Sequence, residues 1–292
     1  MLCTATGLTR PDVDAANALI LLSQESDSYR KAGEAAASRF TRARHAVMTD
    51  VLAGGTIDAS TSIIITIGTE AAQWARDNAP GEATIVGCLV ADYESAGLTT
   101  GRTVHGVLAG VPAADQLTLI REALPEARRI GVPFNPGSPR GRAMLDALRA
   151  AAGTQWSIET VEVAKPEAFA DAVQTLIAKR VDIIWTMPDS SVYSQSTIRT
   201  LLQHSLRAKV PVYGFSVPLV KAGALLGAGV DPQTQGDQAA ELALSIFASG
   251  TRSRRVENAR YETAVNLAVA KQIGIRVSSS ISGRATHRFT GE

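Results

Sequence analysis

Short apolar runs alternate along the chain with longer amphipathic runs rich in alanine, and this alternation constrains the fold more than any other feature. The apolar runs contain many Val and Ile residues and end at turn-forming residues, as buried strands do. We predict strands at 16–22, 62–68, 83–90, 103–109, 128–134, 156–163, 181–187, 210–215 and 223–230. We predict helices at 69–78, 113–127, 138–153, 165–180, 191–208 and 234–250.

Strands that alternate with helices form parallel sheets, because each helix crosses back over the sheet before the next strand begins. The sequence therefore predicts an α/β fold with doubly wound parallel sheets, covered by helices on both faces. The pattern restarts after residue 112, which predicts two such lobes. The glycines within 223–230 predict close backbone approaches inside a strand. HAVMTDVL at 45–52 is a weaker strand candidate.

The composition excludes several classes of function. The chain has 292 residues and a net charge of only +1, with 29 basic and 28 acidic side chains. No basic face or nucleic-acid-binding motif is visible, and aromatic residues are only 5%, so we predict no nucleic-acid partner. No stretch reaches the roughly 18–20 apolar residues that span a bilayer, so we predict no transmembrane segment.

The two cysteines and the first residues bear on metal binding and location. Cys3 and Cys88 have no metal-ligand spacing, so we predict neither a metal nor a cofactor. Cys88 lies in an apolar run and is expected to be buried. Cys3 could be a relic of a lipid-modified cysteine, although Leu2 stands where a small residue is expected. The opening lacks the pattern of a signal peptide, which indicates a cytosolic protein or an exported one without its signal segment.

No catalytic motif is present. A GxGxxG after a strand, a GxxxxGK[ST] loop and a GxSxG elbow are all absent. The four histidines are dispersed, and none falls in a loop that follows a strand. We therefore predict a protein that is not an enzyme. An α/β enzyme that uses carboxylates at strand ends is the less favoured alternative.

Ligands of open parallel sheets bind beyond the carboxyl ends of the strands, and this rule selects the candidate site. The loops at these ends are 23–25, 68–70, 92–93, 134–138, 188–191, 215–217 and 230–232. The candidate ligand-binding residues are Ser23, Gln24, Glu25, Thr69, Glu70, Asp92, Tyr93, Phe134, Asn135, Asp189, Ser190, Ser191, Tyr193, Phe215 and Asp231.

Hydroxyls and carboxylates in these loops predict recognition of a small polar ligand. Thr69 opens a predicted helix, so its hydroxyl and the first backbone N–H groups could hold a carboxylate, and Ser190 and Ser191 could do the same in the second series. Asp189 and Asp231 could accept hydrogen bonds from an ammonium group. The alternative is that Thr69 and Ser190 or Ser191 only cap helices and that Asp231 starts a turn.

Four aromatic residues flank the same loops: Tyr93, Phe134, Tyr193 and Phe215. Their rings could enclose an apolar part of the ligand, or they could be ordinary core residues.

Several segments resemble a known family. REALPEARRIGVPFNPGSP, VDIIWTMPDSSV, ETAVNLAVAKQIGIRV and the segment from VPVYGF to GAGV are similar to ABC-transporter substrate-binding lipoproteins of the tryptophan-binding TrpX type. In the first half, IITIGTEAAQWA and ADYESAGL carry a weaker likeness. The resemblance covers most of residues 17–277. The chain departs from the family pattern at Glu70, where the family has proline, and at Asp92-Tyr93, where the family has Asp-Pro.

The resemblance implies a type I periplasmic-binding-protein fold, with two lobes, three crossovers and an interlobe cleft that closes over a ligand. It implies lobe 1 at 1–112 plus 232–254 and lobe 2 at 113–231 plus 255–292. It implies an extracytoplasmic solute-binding protein of an ABC importer, periplasmic or membrane-anchored, with a permease and an ATPase as partners and an amino-acid-like or organic-acid ligand. A ligand-sensing receptor domain of the same fold is the alternative. The polar tail after residue 277 is expected to be a flexible end.

Overall fold

Thirteen strands and eleven α-helices build the chain over residues 16–291, which the computed structural model describes. The strands are β1 (Asn17–Leu22), β2 (Arg42–Val47), β3 (Ile63–Ile67), β4 (Thr84–Val90), β5 (Val104–Leu108), β6 (Arg129–Phe134), β7 (Ser157–Glu162), β8 (Ile183–Trp185), β9 (Val212–Gly214), β10 (Leu226–Gly229), β11 (Val256–Glu257), β12 (Glu262–Asn266) and β13 (His287–Phe289). The helices are α1 (Asp27–Ala37), α2 (Met48–Leu52), α3 (Thr69–Asn78), α4 (Ala113–Ala123), α5 (Pro139–Ala152), α6 (Phe169–Ala178), α7 (Gln195–Ala208), α8 (Val217–Ala222), α9 (Pro232–Ser249), α10 (Leu267–Ile273) and α11 (Ser279–Arg284).

Contacts divide these elements into two units. The first unit contains the chain through Gly110 together with Val230–Arg260, and the second contains Val111–Gly229 together with the chain from Tyr261 onward. The sequence-based division instead placed residues 111–112 in the first lobe, and residues 230–231 and 255–260 in the second. Residues 255–260 remain in the first unit because β11 pairs with β5.

The first unit has a parallel six-stranded sheet in the order β11-β5-β4-β3-β1-β2. Every residue of β3 is buried. Because side chains alternate across a strand, Ile63 and Ile65 pack into the core on one face and Ile64 packs into the core on the other. Burial of each such side chain stabilises the fold by about 1.5–3 kcal/mol. A continuous apolar run is therefore what a sheet covered on both faces requires.

The second unit has a seven-stranded sheet in the order β13-β12-β10-β9-β8-β6-β7. All pairs are parallel except β10 with β12. A close backbone approach occurs at Gly227, where an added Cβ would lie 2.1 Å from the Gly214 carbonyl oxygen, as expected for a glycine-rich strand. These sheets confirm the α/β fold and the predicted strand positions.

Two elements differ from the sequence-based expectation. The segment 45–52 is not one strand, because β2 ends at Val47 and the chain continues as α2, whose Met48 is buried. The tail is not a flexible end, because α11 buries Ile281 and β13 pairs in parallel with β12. β2 and β13 lie at sheet edges and contain no fully buried residue, so they carry little apolar signal.

Cys88 is buried within β4, as expected. Burial raises the pKa of its thiol to about 12, so the thiol stays protonated and unreactive at neutral pH. Cys3 lies outside the described residues.

Helix α9 packs directly against α1, and a glycine makes this contact possible. A Cβ on Gly236 would lie 2.0 Å from the carbonyl oxygen of Ala32, so backbone meets backbone at this point. No side-chain rearrangement can relieve such an overlap.

We expect Gly236→Ala to lower the free energy of unfolding by about 3 kcal/mol or more, because α9 must move away from α1. Urea unfolding followed by circular dichroism measures the change. The matched control is Gly283→Ala in α11, where an added Cβ meets nothing within 4 Å, and it should leave stability nearly unchanged. Equal effects of the two substitutions would contradict this account of the packing.

Candidate functional site

Gly68 forms the turn between the carboxyl end of β3 and α3. Its φ of +97° lies in a region that favours glycine. An added Cβ would lie 2.7 Å from the Ser23 hydroxyl oxygen and 2.8 Å from the Tyr29 ring. The Ser23 hydroxyl accepts a hydrogen bond from the Ala71 N–H at 2.9 Å, and the Ser23 N–H donates to the Ile67 carbonyl. Ser23 therefore joins the end of β1 to the first turn of α3.

The N-terminus of α3 is open at its first two residues. Thr69 is the first helical residue, and Gly68 before it caps the helix without a side chain, so the expected capping role of Thr69 is wrong. Within residues 16–291, the N–H groups of Thr69 and Glu70 have no hydrogen-bond acceptor. Thr69 is half-buried and Glu70 is exposed. Free N–H groups and the positive end of a helix dipole favour a carboxylate or another anion at this point.

Helix α9 begins at the same edge of this sheet. Asp231 caps it through Oδ2, which accepts hydrogen bonds from the Thr234 N–H at 2.9 Å and the Thr234 hydroxyl at 3.3 Å. Gln235 is fully buried; its amide accepts from the Leu89 N–H and donates to the Leu108 carbonyl oxygen. Because these two residues lie at the carboxyl ends of β4 and β5, α9 and Asp231 are held at the strand ends.

Sequence reasoning did not select Gln235 or Leu89. Leu89 has a φ of +53° beside a register shift in β4, which is a strained conformation for a leucine. Its N–H points to Gln235 as a result. A glutamine among the alanines and leucines of a buried helix face is a weak sequence signal for such an anchor, and the bulge at Leu89 has none.

Other candidates in the first unit have different surroundings. Tyr93 is buried in the core, where its hydroxyl donates to the Gly87 carbonyl oxygen at 2.6 Å, so it does not lie open at the strand ends. Burial, with a smaller effect from Cys88, raises the pKa of Tyr93 above its usual value. Asp92 is exposed and accepts from the Glu94 N–H in a turn. Gln24 and Glu25 are exposed in the loop after β1.

Asp189 is enclosed in the second unit. Its Oδ1 accepts from the Ser191 N–H at 3.0 Å and the Ser191 hydroxyl at 2.7 Å. Its Oδ2 is shielded from solvent, and an added Cβ on Gly141 in the first turn of α5 would lie 2.6 Å from it. This oxygen has no hydrogen-bond partner among the described residues, and the role of Asp189 in ligand binding stays a prediction.

The environment of Asp189 favours the charged carboxylate. Burial disfavours the charged form, but the hydrogen bonds from Ser191, the nearby Ser138 hydroxyl and the charge of Arg140 outweigh it and hold the pKa of Asp189 below its usual value. The carboxylate also lies at the N-terminus of α5, where a helix dipole stabilises an anion. The Asp189 carboxylate thus fixes the turn at Ser191 and lies close to the first turn of α5.

The helix-capping expectation for Ser190 and Ser191 is wrong. Helix α7 begins at Gln195, and its cap is Ser194, which forms a reciprocal pair of hydrogen bonds with Thr197. The Ser191 hydroxyl is used by Asp189, and Ser190 is exposed. Several serines in a row made the position of the cap ambiguous in the sequence.

The aromatic residues of the second unit fall into two groups. Tyr193 is buried, lies edge-on to Phe169 and to Phe215, and donates its hydroxyl to the Pro133 carbonyl oxygen at 3.2 Å. Phe134, the last residue of β6, and Phe215, the residue after β9, are only half-buried. Asn135 forms a turn by accepting from the Gly137 N–H. Phe134 and Phe215 are therefore the partly exposed aromatic rings of this edge, and both also pack against the core.

Two α/β units with polar groups at the carboxyl ends of parallel strands define a binding protein of the type I periplasmic-binding-protein fold. The chain belongs to the ABC transporter substrate binding protein family, whose sequence model matches residues 45–288. It is thus the substrate-binding protein of an ABC transporter, and the resemblance seen in the sequence is confirmed. The sensing alternative is not favoured by this membership.

Three relatives illustrate the similarity. A tyrosine-binding protein of Clostridioides difficile (strain R20291) is 25% identical over 245 residues, which are 81% of this chain and 69% of that protein. The ligand-free, open structure of CD0873, a substrate binding protein with adhesive properties from Clostridium difficile, aligns with a TM-score of 0.78 at 19% identity, over 95% of this chain and 100% of that one. An ABC domain from Streptococcus pneumonia in complex with L-Trp aligns with a TM-score of 0.65 at 19% identity, over 94% and 100% of the two chains. The two structures support the fold.

The family consists of solute-binding proteins that work outside the cytoplasm with a permease and an ATPase. Within residues 16–291, no helix is long and apolar enough to cross a membrane. No group of three or more His, Cys, Asp and Glu side chains in the described part of the chain could hold a metal ion.

The lowered pKa of Asp189 predicts a pH-dependent contribution to stability. Its folded-state pKa lies below the unfolded value of about 3.9, so the ionised carboxylate stabilises the fold above that pH, and the contribution is lost as the pH falls through the folded value. We expect Asp189→Asn to lower the free energy of unfolding by about 1–2 kcal/mol at pH 7, with a smaller difference below pH ~4. Urea unfolding at both pH values measures this.

The control for Asp189 is Asp146→Asn, at an exposed position of α5, which should change stability little at either pH. A difference between wild type and Asp189→Asn that stays constant from neutral to acidic pH would contradict the assigned ionisation.

Proposed function

We propose that this protein binds an amino-acid-like ligand or a small organic acid and delivers it to the permease and ATPase of an ABC importer. The observation that carries the proposal is the open N-terminus of α3, where two N–H groups and the Thr69 hydroxyl are free to receive a carboxylate. The names of two relatives point to amino acids, since one is a tyrosine-binding protein and another was determined with L-Trp.

The ligand carboxylate is assigned to Thr69. A hydroxyl and two backbone N–H groups at a helix N-terminus supply hydrogen bonds and a favourable dipole to one carboxylate. The exposed Glu70 side chain places a negative charge beside this position, which selects against ligands with a second anionic group on that side.

The ligand ammonium is assigned to Asp231 rather than Asp189. Asp231 is half-buried at the strand ends of the first unit, and the hydrogen bonds of its helix cap use only Oδ2. Asp189 is shielded, so we assign it a positioning role in the second unit. The open rings of Phe134 and Phe215 are the candidates for contact with an apolar ligand side chain. Closure of two lobes over the ligand stays a prediction of the resemblance.

We place the protein outside the cytoplasm, in the periplasm or anchored at the outer face of the membrane. Membership of a family that works there supports this location. Separation of cell fractions followed by detection of the protein tests it, and recovery with the cytoplasm would contradict it.

Binding of an amino acid should depend on the Thr69 hydroxyl. We expect L-tyrosine or L-tryptophan to give saturable heat in isothermal titration calorimetry, and Thr69→Val to weaken the affinity about tenfold or more, because a hydrogen bond to a charged group is lost. The matched control is Thr100→Val, at an exposed position of the same unit, which should bind as the wild type does. Equal affinities of wild type and Thr69→Val would remove Thr69 from the site.

The role of Asp231 separates an amino acid from its deaminated acid. Asn is as good a helix cap as Asp, so Asp231→Asn should retain stability while it removes the charge. We expect this substitution to weaken binding of an amino acid about tenfold and to leave binding of the corresponding arylpropionate unchanged. The same calorimetric titrations measure both affinities. If the two ligands lose affinity equally, the ammonium does not bind at Asp231.

A further inference from the structure

The first unit contains a cavity at the opposite edge of its sheet from the candidate ligand site. The cavity measures about 450 Å³ and lies at the amino ends of β4 and β5, beside the C-terminal end of α9. This volume is in the range of small-molecule binding pockets, which measure about 300–1,000 Å³. Neither the assigned ligand groups nor the strand-end loops border it.

Positive charge exceeds negative charge around this cavity. Arg102, Arg252 and Glu82 are the charged residues of its lining, and Glu82 is engaged by Arg252 at 3.1 Å. The Arg102 guanidinium donates to the carbonyl oxygens of Ala79, Pro80 and Ala83, which hold it in place without neutralising it. Among the described residues, Arg102 forms no ion pair with a carboxylate. A fixed and uncompensated arginine beside a cavity favours an anion.

His105 lines the same cavity and carries a hydrogen-bond donor that no described residue uses. The side chain is 96% buried, and its Nδ1 accepts a hydrogen bond from the Arg255 N–H at 3.1 Å. Burial, with the charges of Arg254 and Arg255, lowers the pKa of His105, so the ring is neutral at pH 7. A neutral imidazole that accepts at Nδ1 carries its proton on Nε2. Within residues 16–291, this Nε2–H has no acceptor.

One wall of the cavity is apolar. Ile246 and Phe247 on the last turn of α9 line it together with Ile85 of β4. An inorganic ion would leave this wall without a partner, whereas an anion with an attached apolar group would cover it.

We propose that this cavity binds a small organic oxyanion, a carboxylate or phosphate group attached to an apolar moiety. The oxyanion accepts from the Nε2–H of His105 and faces Arg102 and Arg252, and the apolar moiety packs against Ile246 and Phe247. The site is separate from the amino-acid site and does not depend on the proposed transport ligand.

Calorimetric titration of the full chain with phenyl phosphate and with benzoate tests the proposal, with benzyl alcohol and benzylamine as neutral and cationic analogues. We expect saturable binding of at least one anion and no binding of the two analogues. The titration is repeated with L-tyrosine or L-tryptophan at saturation, and the anion should bind equally well. Absence of anion binding at millimolar concentration would overturn the proposal, as would loss of anion binding in the Thr69→Val variant.

Variants locate the binding at the cavity. Arg252 is exposed, so Arg252→Gln should fold normally and weaken anion binding roughly fivefold, because it removes a positive charge and leaves Glu82 unpaired. The matched control is Arg149→Gln on α5, another exposed arginine with one acidic partner, and it should leave binding unchanged. Equal affinities of Arg252→Gln and Arg149→Gln would overturn the site.

A spectroscopic measurement tests the donor directly. In protein labelled with ¹⁵N at histidine, the His105 Nε2 resonance should shift on addition of the anion, because its N–H gains an acceptor. His105→Phe should weaken binding about tenfold or more, provided that its circular dichroism matches that of the wild type. An unmoved Nε2 resonance at saturating anion would exclude His105 from the site.

Discussion

The first unit depends on the packing of α9 against its sheet, although the segment Val111–Gly229 of the second unit separates α9 from β5 in the sequence. Gln235 is joined to the Leu108 carbonyl across 127 residues of sequence, and it also binds the Leu89 N–H. A buried amide between two strand ends satisfies backbone groups that would otherwise cost about 1–3 kcal/mol each. Together with the close contact of Gly236 with Ala32, this buried amide holds the N-terminal part of α9 against the sheet and α1.

The two ends of α9 have different chemical surroundings. The Asp231 carboxylate, at the N-terminus of α9, lies at the carboxyl ends of the strands. The free N–H groups of α3 lie at the same edge of the sheet. The C-terminus of α9 places Ile246 and Phe247 beside a cavity with excess positive charge. A single helix therefore contributes a negative group at one edge of the sheet and an apolar wall at the other. In the second unit, the Asp189 carboxylate binds Ser191 within the loop after β8 and lies close to the first turn of α5.

Much of the fold could be predicted because central parallel strands are apolar on both faces. β3 and β4 stand out as runs of buried residues, and Cys88 within them is buried for the same reason. Edge strands lack this signal, so β2 was merged with the start of α2 and β13 was expected to be unstructured. Among the candidate site residues, the pattern indicated that Asp231 and Thr69 lie at helix starts. The pattern could not distinguish Tyr93, which is buried and donates its hydroxyl to the Gly87 carbonyl oxygen, from a partly exposed ring such as Phe215.

The sequence alone determined the α/β class, the two strand series, the family and the set of loops that follow strands. Each of these depends on local apolar periodicity or on motifs that are contiguous in the chain. The tertiary structure decided which polar groups in those loops are free. Ser191 binds only Oδ1 of Asp189 and leaves Oδ2 without a partner among the described residues, Ser194 rather than Ser190 caps α7, and the N–H groups of Thr69 and Glu70 stay open. A hydrogen bond depends on the positions of two groups in space, and partners such as Gln235 and Leu108 are too far apart in the chain for any local pattern to pair them.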